Sequence, residues 1–279
     1  MLDDLRAFLL FVGNPRSGTT LVRSLANASP EALLSVEVDV LKFLHEDFKT
    51  VIGRIIENQE RFAHNPVWTG YDYSVPAAPK PGAAKIRVIG DKAAPETALA
   101  INSDPALLQR LTGWCPLPIR WIHCVRNPYD RIARGIIARK QAGRSQNDLV
   151  DEWRTVERVA LQIAGFAGPH NFHRVYLEDL IAEPVRELRA LGEFLEPTLP
   201  PPGGGVGMGW IEACRAIVFE QPNQSRLLVQ WTPKLLALVE EGIEEFPHLH
   251  RYRQTAGNWK PSGYPGRAGS RPISRSVAT

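Results

Sequence analysis

Apolar positions fall in short blocks separated by longer amphipathic stretches. Phe8 to Val12 is an uninterrupted apolar run that predicts a buried strand, and Gly13-Asn14-Pro15 breaks it. Leu21, Val22 and Leu25 follow at helical spacing. Leu33 to Val38 predicts a second strand with Glu37 near its end, and Asp39 is placed to cap an amphipathic helix reaching about Phe62. Residues 65–84 are rich in Pro and Gly and fit no regular element. Ile86 to Gly90 predicts a third strand, followed by Asp91 and Lys92. Pro95 opens a helical stretch to Leu111 with a break near Pro105.

Ile119 to Val125 predicts a fourth strand, with a helix after Arg126-Asn127-Pro128 to about Lys140. Gln146 to Ala164 places Leu149, Trp153, Val156, Val159, Ala160 and Ile163 on one helical side. Val175 to Leu177 predicts a fifth short strand, and Pro184 starts a helix ending at Leu195. A Pro/Gly hinge over 200–209 precedes two helices, Ile211 to Phe219 and Pro233 to Phe246. Strands alternating with helices predict an α/β fold with a three-layer, doubly wound parallel sheet of the P-loop type. In such sheets ligands bind beyond the carboxyl ends of the strands. Arg16, Glu37, Lys92 and Arg126 each lie at or just past the end of a different predicted strand.

Charge adds one correction to this picture. The chain carries a net +3, but residues 257–279 hold Lys260, Arg267, Arg271 and Arg275 and no acid, which leaves −1 for residues 1–256. The expectation is one domain over 1–256 followed by a basic, Gly/Pro/Ser-rich disordered tail over 257–279. The basic balance therefore argues against a nucleic-acid face on the folded part. The apolar runs fall short of the ~20 residues needed to cross a bilayer, so no transmembrane segment is expected. The N-terminal MLDDLRAFLLFVG carries acids where a signal peptide needs bases. Cys115, Cys124 and Cys214 are scattered, with no metal spacing, and point to buried thiols in a reducing cytoplasm.

The chemistry concentrates in FVGNPRSGTTL, residues 11–21. A strand, a Gly-containing turn and a helix N-terminus aim unpaired N–H groups and the positive end of the helix dipole at one spot, which makes an anion cradle. Against the triphosphate loop G-x-x-x-x-G-K-[ST], Gly13, Gly18 and Thr20 fit, but Thr19 stands where the phosphate-reaching lysine belongs. A P-loop kinase is thus a weaker alternative, and a silent nucleotide-binding module is a second. A plain strand–turn–helix with Ser17, Thr19 or Thr20 only capping is the plainest reading of the stretch. Glu37 read alone fits a cap or a salt bridge, Lys92 a solvated loop lysine, and His123 a packed core histidine. His45 is an alternative base, more consistent with a solvent-facing position.

PRSGTT after a first strand resembles the 5′-phosphosulfate loop of the sulfotransferases that use 3′-phosphoadenosine 5′-phosphosulfate (PAPS). GDKAAP, around Lys92, resembles that family's G-D-K-x-P segment with one extra alanine. VRNPYDRIAR, residues 125–134, resembles its 3′-phosphate motif R-[DN]-P-x-D-x-x-x-S, with Arg134 in place of the serine. VYLEDLIAEP resembles the strand–helix segment Y-E-D-L-x-x-x-P, with Leu177 where tyrosine is usual and Tyr176 displaced by one. QSRLLVQWTPKL resembles a late signature of the same family.

The resemblance implies a sulfuryl transfer from PAPS to an acceptor hydroxyl or amine. Arg16, Ser17, Gly18, Thr19 and Thr20 would hold the 5′-phosphosulfate, and Arg126, Arg134 and Arg139 the 3′-phosphate. Tyr176 would be a nucleotide contact, and Arg215 a weaker one on the 203–218 segment, which would close over the nucleotide. Glu37, twenty-two residues after Pro15, would be the base, a role worth ~10²–10⁴ in rate. Lys92 and Arg16 would stabilise the departing phosphate oxygen, where one donor is worth ~3–4 kcal/mol. The transferred group carries less charge than a phosphoryl, so no metal ion is obligatory. Trp68, Tyr71, Tyr73 or Trp210 would stack on a ring of a small-molecule, carbohydrate or peptide acceptor.

Overall fold

The structure, a computed structural model, describes residues 2–64, 73–75, 86–139, 145–195 and 208–253. Loop residues Trp68 and Tyr71, most of the 200–209 hinge and the basic tail lie outside the described residues.

Among the described residues five strands form one parallel sheet in the order β2-β3-β1-β4-β5. These are β1 Ala7–Gly13, β2 Ala32–Val36, β3 Val88–Lys92, β4 Ile119–Val125 and β5 Phe172–Tyr176. β1 is central and buried along its whole length, as its unbroken apolar run requires of a strand covered on both faces. Its side chains divide by parity. Leu9 and Phe11 enter one core with α1 (Thr19–Asn27), α7 (Leu177–Ala182), α8 (Pro184–Leu195) and α9 (Met208–Arg215). Phe8, Leu10 and Val12 enter the opposite core with α2 (Phe48–His64), α3 (Ala94–Ser103), α4 (Leu107–Trp114) and α6 (Gln146–Ala167). Each such Leu, Val or Phe contributes about 1.5–3 kcal/mol when fully buried. A third cluster joins α5 (Pro128–Arg139) and α6 to α10 (Pro233–Glu245) and the 3₁₀ turn Pro247–Tyr252.

Several element boundaries differ from the sequence reading. β3 runs to Lys92 rather than ending at Gly90, because Asp91 pairs with Leu10 and Ser35, and Lys92 with Val36, in the parallel ladder. The helix expected from Asp39 to Phe62 is split into a 3₁₀ turn, Val40–Phe43, and α2. Asp39 sits at φ 60 with no capping hydrogen bond and pairs instead with Lys42 at 2.7 Å. β5 covers Phe172–Tyr176 rather than 175–177, and Leu177 opens α7. The 95–111 stretch is two helices, α3 and α4, and α4 continues to Trp114. α6 continues to Ala167, and the helix expected over 211–219 is α9 at Met208–Arg215.

Candidate active site

The carboxyl ends of β2, β3, β1 and β4 lie side by side, which gathers the residues that follow them. After β1 the chain turns through Asn14 to Gly18 into α1. The Asn14 carbonyl accepts the Ser17 N–H at 3.2 Å and its Oγ–H at 2.6 Å, which closes the turn. Gly18 has φ 87, and a Cβ there would lie 2.9 Å from Leu177 Cδ1. Thr19 and Thr20 open α1, whose N-cap has no side-chain hydrogen bond. Ser17 is therefore spent inside the turn, and the helix N-terminus offers its N–H groups outward.

Among the described residues Arg16, Glu37 and Asp39 are the non-glycine residues with positive φ, at 69, 60 and 60. Such backbones cost roughly 1–3 kcal/mol and persist where surrounding contacts hold them. Arg16 is exposed at the turn's outer edge. The Glu37 turn has a visible anchor in Asp91. Its buried carboxylate accepts the Ser35 hydroxyl at 2.7 Å and the N–H groups of Val38 and Asp39 at 3.2 and 2.8 Å. Burial nonetheless pushes the Asp91 carboxyl upward, against those three donors.

Lys92 ends β3 with its side chain only 3 % exposed, while the Glu37 side chain is 45 % exposed. Lys92 Nζ donates to Glu37 Oε1 at 2.7 Å, and the Lys92 carbonyl accepts the Glu37 N–H at 3.0 Å. A buried ammonium thus presents a half-exposed carboxylate beside the cradle strand. His45, the alternative base, is exposed and lies 3.9 Å from Glu46 Oε1.

Arg126 follows β4 and reaches across to the cradle. Its guanidinium donates to the Arg16 carbonyl at 3.0 Å and to the Asn223 carbonyl at 2.6 Å. Burial lowers its pKa, and the nearby Arg134 and Arg226 guanidiniums add to that effect. Asp130 in the same motif holds Arg226 through the backbone N–H at 2.9 Å and through an ion pair. The 223–226 segment is thus tied to the start of α5 from two sides. Arg134, half-buried, lies further along α5. Arg139 ends that helix, and its side chain is outside the described residues. Tyr176 ends β5; its hydroxyl donates to the His248 carbonyl at 3.0 Å, and Arg251 covers its ring at 4.3 Å. Arg215 ends α9 and is exposed. Tyr73 meets Phe219 edge-on at 6.3 Å and packs, with half-buried Trp210, on the α8–α9 core.

Two groups of residues escaped the sequence reading. Asp91 was visible only as part of G-D-K, with nothing to show that it caps the Glu37 turn. His123, Glu157 and His248 come from β4, α6 and the 247–252 turn, and their ligand atoms lie within 4.8 Å of one another. No spacing pattern links such distant positions. The three cysteines are buried, and burial pushes the Cys115 and Cys214 thiols up to about 11 and 12.

No protein-family model matches the chain, and no curated protein matches it by sequence. Solved structures do match. Sulfotransferase STF9 from Mycobacterium avium aligns with 87 % of this chain and 77 % of its own, at TM-score 0.50 and 13 % identity. A sulfotransferase from Alicyclobacillus acidocaldarius covers 89 % and 97 %, at TM-score 0.49 and 14 % identity. Mouse sulfotransferase SULT7A1, complexed with PAP, covers 90 % and 92 %, at TM-score 0.48 and 14 % identity. At these identities the likeness is one of fold: the chain has the parallel α/β fold of the P-loop sulfotransferases. No described helix is long and apolar enough to cross a membrane.

Proposed function

We propose that this chain is a PAPS-dependent sulfotransferase, moving a sulfuryl group in line to an acceptor hydroxyl or amine. The observation that carries the reading is the Lys92–Glu37 pair, 2.7 Å apart at the end of the strand beside the cradle strand. It supplies a half-exposed base and a buried cation where sulfur would sit between acceptor and phosphate.

In this mechanism the N–H groups at the start of α1, with Gly18, Thr19 and Thr20, hold the 5′-phosphosulfate, while Ser17 closes the turn that presents them. Arg126 and Arg134 bind the 3′-phosphate, with Arg139 beyond them, and Tyr176 lies at the nucleotide's flank. Arg126 exchanges one of its carbonyl partners for phosphate, a stronger charge-assisted fork. Glu37 takes the acceptor proton as its oxygen or nitrogen attacks sulfur. The sulfur–oxygen bond to the 5′-phosphate breaks, and Lys92 and Arg16 stabilise the charge that grows on that oxygen. Positioning and fixed charge do the work, as in phosphoryl transfer, and no step requires a metal ion. Tyr73 and Trp210 line the side from which a small-molecule, carbohydrate or peptide acceptor arrives. A cytoplasmic site of action belongs to the same reading and rests on the three buried thiols.

The test is incubation with sulfur-labelled PAPS and a panel of sugars, phenols, lipids and peptides. Label in an acceptor, lost in Glu37→Gln, supports the proposal. Magnesium-dependent consumption of ATP in its place would support a kinase.

A further inference from the structure

Behind the cradle lies a buried polar cluster that the proposed chemistry does not use. Glu157, on α6, is 2 % exposed. Its Oε1 accepts the Asn14 side-chain Nδ2–H at 2.7 Å. Its Oε2 lies 2.8 Å from His248 Nε2 and 3.3 Å from His123 Nε2. Arg174 Nε donates to His123 Nδ1 at 3.2 Å.

These contacts fix the protons. Arg174 can only donate, so His123 Nδ1 is an acceptor and its proton is on Nε2, which lies 3.3 Å from Glu157 Oε2 without making a hydrogen bond to it. A metal ion on Nε2 would require that nitrogen bare while Nδ1 still accepts from Arg174, an imidazolate. The three side chains therefore fit a hydrogen-bonded carboxylate better than a metal centre. Burial keeps His123 below its ordinary pKa and so neutral. Burial by itself would raise Glu157, and the His248 contact at 2.8 Å opposes it. Glu157 Oε1 also sets the Asn14 amide. Turned over, Asn14 would oppose oxygen to oxygen, and as it stands Asn14 Oδ1 is buried without a partner. Asn14 is thus held for its donor alone.

Asn14 is the node of the cradle. Its side chain is tied to α6, while its carbonyl receives both Ser17 bonds that close the turn. Arg16, with its left-handed backbone, lies between those two residues. We propose that Glu157 is a positioning residue for the anion cradle, acting through Asn14 to hold the 14–18 turn in its anion-binding shape. The nucleotide arm of the test rests on the sulfotransferase reading; the backbone arm does not.

Hydrogen exchange on the full chain provides the backbone arm. Glu157→Gln sets an amide against the His248 donor and weakens the hold on Asn14. It is expected to speed exchange of the Asn14, Arg16, Ser17 and Gly18 amides about tenfold, with β4 amides unchanged. Should Glu157→Gln fail to fold, Asn14→Ala cuts the link from the cradle side and is expected to give the same local loosening. Unchanged cradle exchange, or equal acceleration in β4, overturns the proposal. In the nucleotide arm, affinity for 3′-phosphoadenosine 5′-phosphate (PAP) is expected to fall about tenfold in either variant and no further in the double variant. Additive losses overturn the route through Asn14. If the wild type does not bind PAP while exchange responds as stated, the nucleotide reading fails and the positioning role stands.

Discussion

Lys92 holds Glu37 twice: its carbonyl accepts the Glu37 N–H at 3.0 Å, and its ammonium donates to Glu37 Oε1 at 2.7 Å. The first contact fixes a left-handed backbone, and the second aims the carboxylate. One residue of β3 therefore sets both where the candidate base stands and where it points. Glu37→Gln removes the proton acceptor but keeps the side chain's shape and an oxygen for Lys92. Transfer is expected to drop by about 10²–10⁴ with PAP affinity within a factor of about two. Steady-state rates beside calorimetric PAP titration check this.

Arg126 is held by two backbone carbonyls, Arg16 and Asn223, so it links the cradle to the 223–226 segment. Arg126→Ala is expected to cost about tenfold to a hundredfold in PAP affinity, since bonds to charged groups are worth about 1.5–3 kcal/mol. Adenosine 5′-phosphate, lacking the 3′-phosphate, should lose little. Equal binding of the two nucleotides by the wild type would remove the role given to Arg126.

Asp91 accepts the Ser35 hydroxyl of β2 and two N–H groups, Val38 and Asp39, of the turn that carries Glu37. Asp91→Asn replaces one acceptor oxygen with a donor and sets it against a turn N–H. The expected outcome is a fall of about tenfold in kcat with PAP affinity retained. An unchanged kcat would detach the Asp91 cap from catalysis.

His173 on β5 stacks on Phe194 at 5.1 Å, and burial lowers its pKa to about 4. The folded value is below the unfolded ~6.5, so the unfolded chain takes up the proton first. This group costs nothing above pH ~6.5. As pH falls from about 6.5 to 4 it progressively destabilises the fold, by up to about 3 kcal/mol. Urea melts at pH 7 and pH 5 should show lower stability at pH 5, with a smaller difference in His173→Phe.

The architecture was largely legible because both faces of the central strand are buried, which leaves unbroken apolar runs such as Phe8 to Val12. β4 and α8 match the pattern at both ends. Where polar residues enter the ladder, the pattern hides the strand, as Asp91 and Lys92 did at the end of β3. The Asp39 helix start failed because a left-handed backbone overrode a good capping residue. Motif residues close in sequence, such as Arg16 and Ser17, could be named from the chain alone. Asp91 as a turn anchor, and the Asn14–Glu157–His248 cluster, could not, since those contacts join segments 52 to 143 residues apart.

Label transfer from sulfur-labelled PAPS to an acceptor, followed in the wild type and in Glu37→Gln, tests the central claim most directly. The expected result is PAP released in step with labelled product by the wild type, with almost none from the variant. PAP binding with no acceptor labelled across the panel, or equal product from both proteins, would contradict the account.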